Sequence, residues 1–239
     1  MHCTSTEAYR QRVIQLGESP ERVRNVGAIG LDHLKRTQFM DLHTLAQSLK
    51  FELRQPYFLV TYHPVTSGEE EPESSFQTIL DALDEYPEHQ IILTYPNADD
   101  GGRRIIPLLE AYAALHPSRV IALESLGQVR YLSAIKFACA VIGNSSSGII
   151  EVPAFDVPTV NIGVRQQGRL ASRSVLHCHA IKADIVSAMN VAVTRCYKTE
   201  SEAIENPYGQ GNASCQVIDM LKTLNIASTK TFYDLKVTD

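Results

Sequence analysis

Cys139-Ala140-Val141-Ile142 runs straight into Gly143-Asn144-Ser145-Ser146-Ser147-Gly148, and Ile149-Ile150-Glu151 follows at once. A short continuous apolar run suits a strand covered on both faces, and a small polar turn after it suits a helix start. The segment predicts a strand at Cys139–Ile142 and a helix over Ser146–Phe155. Outward from it the same alternation repeats. On the N-terminal side lie strand Tyr57–Tyr62, helix Pro72–Glu85, strand Gln90–Tyr95, helix Arg103–Leu115, strand Arg119–Leu123 and helix Leu126–Phe137. On the C-terminal side lie strands Thr159–Ile162 and Ser174–Cys178, then helices Asp184–Cys196 and Asn212–Leu224. Alternation of this kind implies an α/β fold, a doubly wound Rossmann-like parallel sheet. Before Pro56 the pattern is sparser: a helix over Thr6–Leu16 capped from Thr4 or Ser5, a strand at Arg22–Gly27, and a helix over Asp41–Leu49.

Bulk properties narrow the function. A net charge of −5 argues against a nucleic-acid partner, which calls for a basic face. It leaves room for a small anion held by local amides and a few arginines. There is no apolar run long enough to span a membrane, and residues 1–7 lack the basic-then-apolar pattern of a signal peptide. The five cysteines (Cys3, Cys139, Cys178, Cys196, Cys215) are scattered and never spaced C-x-x-C. That usage predicts reduced thiols, a soluble cytoplasmic protein, and neither a disulfide framework nor a zinc knuckle.

In doubly wound sheets ligands lie beyond the carboxyl ends of the strands, so the loops there carry the chemistry. Gly143–Gly148 offers free N–H groups at a helix start and serine hydroxyls, which suits a phosphate; a serine N-cap on a tight turn is the bland alternative. The spacing G-N-S-S-S-G does not match the G-x-S-x-G of a nucleophile elbow. Glu151 is placed to accept hydrogen bonds from two ribose hydroxyls, or is an ordinary first-turn glutamate. His63, before Pro64, is a donor to a phosphate or a general acid, or a structural histidine. Asn97, Asp99 and Arg103 bracket Gly101-Gly102, and Arg165 and Arg169 follow a strand in position to clamp a diphosphate. Two patterns are discounted. His177 and His179 share a strand face without further metal ligands, and Gly27-Ala28-Ile29-Gly30 lacks the third glycine of a dinucleotide fingerprint. Neither a metal nor an organic cofactor is called for.

Taken together, T-Y-H-P-V-T at 61–66, P-N-A-D at 96–99, G-N-S-S-S-G-I-I-E-V-P-A-F at 143–155 and G-V-R-Q-Q-G-R at 163–169 resemble the hydrolysing UDP-N-acetylglucosamine 2-epimerases. N-P-Y-G-Q-G at 206–211 and F-Y-D-L at 232–235 are similar to that family's closing segments. The resemblance implies two Rossmann-like halves in a glycosyltransferase-B arrangement, with UDP or a UDP-N-acetylhexosamine as ligand. It implies that His63 and Arg103 contact the diphosphate or sugar, Ser145 and Ser146 hold phosphate, Glu151 holds the ribose, and Arg165 lines the cleft. The implied reaction eliminates UDP across C1–C2 and adds water, releasing N-acetylmannosamine for sialic acid synthesis.

Family members are about half as long again, and residues 1–3 stand where the last strand of their first domain would be. The expectation is a C-terminal portion: residues 1–50 as a remnant of the inter-domain segment, and 51–239 as the UDP-binding domain with its C-terminal helices. The acid–base carboxylates of the family belong mainly to the other half, so a chain of this kind is expected to bind without turning over. An apolar face where that half would dock is expected to permit a homodimer. A non-catalytic nucleotide-sugar module and a glycosyltransferase-like domain are the alternatives.

Overall fold

The computed structural model describes residues 1–65, 71–97, 100–194, 204–223 and 231–235. The chain divides into two compact units, one of Met1–Thr37 with Asn206–Asp239 and one of Gln38–Glu205.

The first unit opens with β1 (His2–Thr4), α1 (Glu7–Gln15) and β2 (Val23–Asn25), the strands pairing in parallel. Thr6, rather than Thr4 or Ser5, caps α1: its hydroxyl accepts from the Tyr9 N–H at 3.2 Å. A short helix α2 (Asp32–Arg36) follows. Asp32, 7% exposed, reaches across the sequence to the C-terminal helix of the unit. Its two carboxylate oxygens accept the backbone N–H groups of Ala213 (2.8 Å) and Ser214 (2.7 Å). These are donors a helix start leaves unpaired, so the carboxylate is a remote N-cap. Hydrogen bonding from the Ser214 side chain and these backbone groups holds the Asp32 carboxyl below the usual range.

The second unit begins with α3 (Leu42–Leu49), capped by Asp41, which accepts from the Thr44 N–H at 2.7 Å. It continues through β3 (Tyr57–Thr61), α4 (Pro72–Leu83), β4 (Gln90–Thr94), α5 (Asp100–Leu115), β5 (Val120–Leu123), α6 (Gly127–Phe137), β6 (Ala140–Gly143), α7 (Ser147–Ile150), β7 (Thr159–Ile162), β8 (Val175–Cys178) and α8 (Lys182–Thr194). The last helix of the chain, α9 (Ala213–Lys222), is the one Asp32 caps. The six strands β3–β8 form one parallel sheet in the order β5-β4-β3-β6-β7-β8. Counted from β3, that is the 3-2-1-4-5-6 order of a doubly wound dinucleotide-type fold, with its switch point between β3 and β6.

Strand periodicity assigns the two helical layers. Phe58 and Val60 point to the face covered by α4, α5 and α8, with Phe76, Ile79, Ile105, Ile185 and Met189 in the same cluster. Tyr57 points to the opposite side, where its buried hydroxyl donates to the Ala134 carbonyl of α6 at 2.5 Å. Both faces are apolar because both are covered. Among the described residues no helix is long and apolar enough to cross a membrane.

Several boundaries differ from the sequence expectation. The helix expected over Ser146–Phe155 is one α-turn, Ser147–Ile150, followed by a 3-10 turn over Val152–Phe155. Pro153 is the reason: it has no N–H to give the Ile149 carbonyl, so the α-helix cannot run through it. Helix α5 starts at Asp100, before Arg103. Residues 195 and 196, at the end of the expected helix Asp184–Cys196, lie outside the described residues.

Asp32→Ala should lower the urea-unfolding stability of the first unit by about 1–2 kcal/mol, the range for losing a helix cap. The Asp32 pKa is lower folded than unfolded, so its contribution is complete above the unfolded value and lost as pH falls through the folded one. The difference between variant and wild type is therefore expected at neutral pH and should fade in strong acid.

Candidate functional site

The switch point is built around Gly143 and Asn144. Gly143 ends β6 at φ 132°, a conformation suited to glycine, and a Cβ there would collide with the Thr61 carbonyl of β3. The backbone N–H of Asn144 then donates to that same carbonyl at 3.2 Å. The Asn144 side chain, 1% exposed, pairs with one residue twice. Its Oδ1 accepts the His63 N–H at 2.7 Å, and its Nδ2 donates to the His63 carbonyl at 2.7 Å. The carboxamide thus extends the β3–β6 ladder past the last backbone rung. The Asn144 carbonyl accepts Arg165 Nη1 at 3.0 Å and Gln166 Nε2 at 2.7 Å. The ends of β3, β6 and β7 are tied together by this one residue.

His63 is half-buried, and its ring Nδ1 accepts the backbone N–H of Asn97 at 3.1 Å. In the neutral ring the proton then resides on Nε2, which makes that nitrogen a donor. Asn97, His63, Asn144 and Arg165 form a continuous hydrogen-bonded chain. Asn97 enters it through its backbone, while its side chain is exposed. Arg165 is also exposed, with one Nη committed to Asn144.

The three serines of the loop have different surroundings. Ser145 Oγ accepts the Ser147 N–H at 3.4 Å, a weak turn contact. Ser146 starts α7 without capping it through its side chain. Ser147 turns inward, one helical turn before Glu151. Burial pushes the Glu151 carboxyl above the usual range, partly offset by the neighbouring Ser147 hydroxyl and by the Glu151 backbone N–H. The Ser147 hydroxyl lies close enough to act on that charge without reaching hydrogen-bond geometry. Glu151 Oε2, Ser147 Oγ and the Tyr131 hydroxyl are all buried without a hydrogen-bond partner. The three groups adjoin one another, with Ser147 near enough to both Glu151 and Tyr131 to act on each.

Beside them a recess of about 320 Å³ is lined by Thr61, Tyr95, Glu124, Leu126, Tyr131 and Ser147. The Tyr95 hydroxyl donates to Glu110 at 2.5 Å, and this bond pushes its pKa up to about 12. Sequence reasoning gave no role to the side chains of Asn144, Tyr131 and Glu124. Glu124 follows β5, and the strand-end rule applied to the other loops would have selected it.

Asp99 lies outside the described residues, as do Thr66 and Ala98 of the matched motifs. Arg103 is exposed on the first turn of α5, and no described hydrogen bond joins it to the other site residues. Its neighbour Arg104 instead pairs with Glu73 and Glu71, both at 2.6 Å. His177 Nδ1 lies 3.0 Å from Asn161 Nδ2. With His179, Arg169 and Cys178 it lines a separate cavity of about 750 Å³ at the ends of β7 and β8. Among the described residues no group of three or more His, Cys, Asp and Glu is placed to hold a metal ion.

The profile of the UDP-N-acetylglucosamine 2-epimerase family matches residues 1–222. The GDP/UDP-N,N'-diacetylbacillosamine 2-epimerase (hydrolyzing) of Campylobacter jejuni is 37% identical over 176 residues, covering 74% of this chain and 46% of that protein. The polysialic acid biosynthesis protein P7 of Escherichia coli is 34% identical over 241 residues, covering 98% and 60%. The chain therefore spans about half the length of the curated relatives it matches. Among solved structures, the UDP-GlcNAc 2-epimerase of Neisseria meningitidis bound to UDP-GlcNAc superposes with a TM-score of 0.72 at 17% identity, covering 92% of this chain and 60% of that one. The fold is thus the Rossmann-like doubly wound half of a glycosyltransferase-B type architecture.

Glu151 gives a signed prediction. Its carboxyl is raised in the folded protein above the ordinary 4.5, so ionisation opposes folding at neutral pH and is neutral below that value. Glu151→Gln should therefore raise the melting temperature at neutral pH, by roughly 2–4 °C for each kcal/mol of burial cost removed. The gain should vanish in melts recorded below about pH 4.5. An equal gain at both pH values would mean that the carboxylate is not penalised by its surroundings.

Proposed function

This chain belongs to the UDP-N-acetylglucosamine 2-epimerase family, and we propose that it is the UDP-sugar-binding portion of a hydrolysing 2-epimerase. The whole enzyme in this reading converts UDP-N-acetylglucosamine and water to N-acetylmannosamine and UDP. Binding of the nucleotide is assigned to Gln38–Glu205; turnover is assigned to the full length of the relatives, not to these 239 residues alone.

The observation that carries the reading is the hydrogen-bonded chain from Asn97 through His63 and Asn144 to Arg165, set at the switch point of the sheet. A diphosphate at that point meets the Ser145 and Ser146 hydroxyls, the His63 Nε2–H and the Arg165 guanidinium, donors matched to an anionic leaving group. The recess beside Tyr131 takes the nucleoside, and the unpartnered Glu151 oxygen accepts from its ribose hydroxyls. In this reading recognition of the sugar falls to Asn97, Asp99 and Arg103. In the reaction so read, a base takes the C2 proton as the C1–O bond to UDP breaks, and these donors and a proton from His63 stabilise the leaving oxygen. Water then adds across the resulting C1–C2 double bond. The Campylobacter relative, which acts on a diacetamido sugar by its name, favours a second reading with that sugar class as substrate. A cytoplasmic location and a homodimer complete the proposal.

A calorimetric titration of the chain with UDP tests this, followed by a product assay on UDP-N-acetylglucosamine. Saturable binding is expected, and Ser146→Ala should weaken it by about 1–2 kcal/mol, as for a hydrogen bond to a charged group. An absence of binding by the folded wild-type chain would overturn the assignment. Release of N-acetylmannosamine by the chain itself would overturn the restriction to binding.

A further inference from the structure

Every polar atom of Asn144 is committed, and each commitment reaches a different part of the site. The main-chain N–H holds the end of β3 through Thr61, the carboxamide holds His63 from both sides, and the main-chain carbonyl holds Arg165 and Gln166. Two features make this more than loop packing. The paired bonds to His63, 2.7 Å each, demand a side chain that donates and accepts from one planar group, which an amide offers at any pH and a carboxyl only when protonated. They also act on a residue whose ring is already fixed in one tautomer by Asn97, so the backbone that Asn144 sets determines where that ring nitrogen points. Arg165, an exposed residue, gains its one described anchor from the same residue.

We infer that Asn144 is the positioning residue of the nucleotide site: it places the His63 imidazole and the Arg165 guanidinium on a common diphosphate without touching that ligand through its side chain. The inference rests on the UDP-binding reading for the identity of the ligand. The positioning itself can be read without ligand. Removing the carboxamide frees the His63 backbone and loosens the Asn97–Nδ1 bond, so the ring loses its preference for the Nε2–H form. Arg165 keeps its anchor, because that is a main-chain carbonyl, and loses only the fixed place of the loop that bears it.

Asn144→Ala and Asn144→Asp test this, with thermal melts to establish that each is folded. The aspartate keeps the acceptor for the His63 N–H and loses the donor to its carbonyl, so it separates pairing from side-chain volume. The first readout is the pair of ¹⁵N resonances of the His63 ring in the ligand-free protein. The wild type should show a proton on Nε2, and the variants a shift toward a mixture of tautomers. The second is calorimetric UDP affinity, expected to fall roughly tenfold or more in either variant and much less when His63→Ala is already present, since residues acting through one another are non-additive. The third is pH. A carboxyl facing a carbonyl in a buried site takes up a proton readily and can then donate as the amide did. The affinity ratio between Asn144→Asp and wild type should therefore narrow from about pH 8 to about pH 6. Unchanged His63 resonances in a folded variant, or losses that add in full with His63→Ala, would overturn the inference. Should the wild type fail to bind UDP, the reading of the ligand falls, and the ring resonances still decide the positioning.

Discussion

Two parallel strands that are neighbours in the sheet but send their chains to opposite faces must part at their carboxyl ends, and the backbone groups exposed there need partners. At the β3–β6 switch point those partners come from Asn144. Without a paired donor and acceptor, the His63 N–H and carbonyl would be left where water has poor access, and unpaired backbone groups in such places are costly. Gly143 makes the arrangement possible, because only a residue without Cβ lets β6 pass so close to the Thr61 carbonyl. The same two residues therefore close the sheet and open the crevice. Positions of His63, Arg165 and the serine loop follow from that closure rather than from contacts among themselves.

The site also holds groups that the free protein does not satisfy. Glu151 Oε2, Ser147 Oγ and the Tyr131 hydroxyl are buried without hydrogen-bond partners, and burial raises the pKa of both Glu151 and Tyr131. A core optimised for stability alone would place apolar atoms there. Retaining polar ones opposes folding, a pattern common at functional sites. The rest of the second unit offsets the cost conventionally, with Tyr57, Phe58, Phe76, Ile91 and Ile92 fully enclosed between the helical layers.

What could be read in the sequence was what depends on neighbours along the chain. The strands β3, β4, β6 and β7 are short apolar runs bounded by polar turns, and their limits in the structure lie within a residue of those expected. The loops bearing His63, Ser145, Ser146 and Arg165 were singled out because a parallel sheet confines ligand chemistry to one end, and the structure sets all three at the carboxyl ends of β3, β6 and β7. Features that depend on distant partners were not legible. The Asn144 carboxamide has its partner 81 residues away, and Asp32 caps a helix more than 180 residues on. Which of three consecutive serines turns inward depends on the turn at Gly143, not on residue type. Helix α7 ends earlier than the expected Phe155 because Pro153 lacks the donor that would continue it. The three-residue strand β1 is too short to show a period.

On a chain of net charge −5 any anion must be held by local groups, because the overall field repels it. The distribution of ion pairs bears on which groups remain for that task. Arg104 is tied to Glu71 and Glu73, and Arg119 to Asp84, so both are neutralised within the protein. No described carboxylate pairs with Arg103 or Arg165. Arg165 gives one Nη to a neutral carbonyl, which orients the fork without cancelling its charge. His63 accepts the Asn97 N–H at Nδ1, which leaves the proton of the neutral ring on Nε2, so the residue contributes a directed donor. Charge and orientation are thereby divided between two residues, and Asn144 is bonded to both.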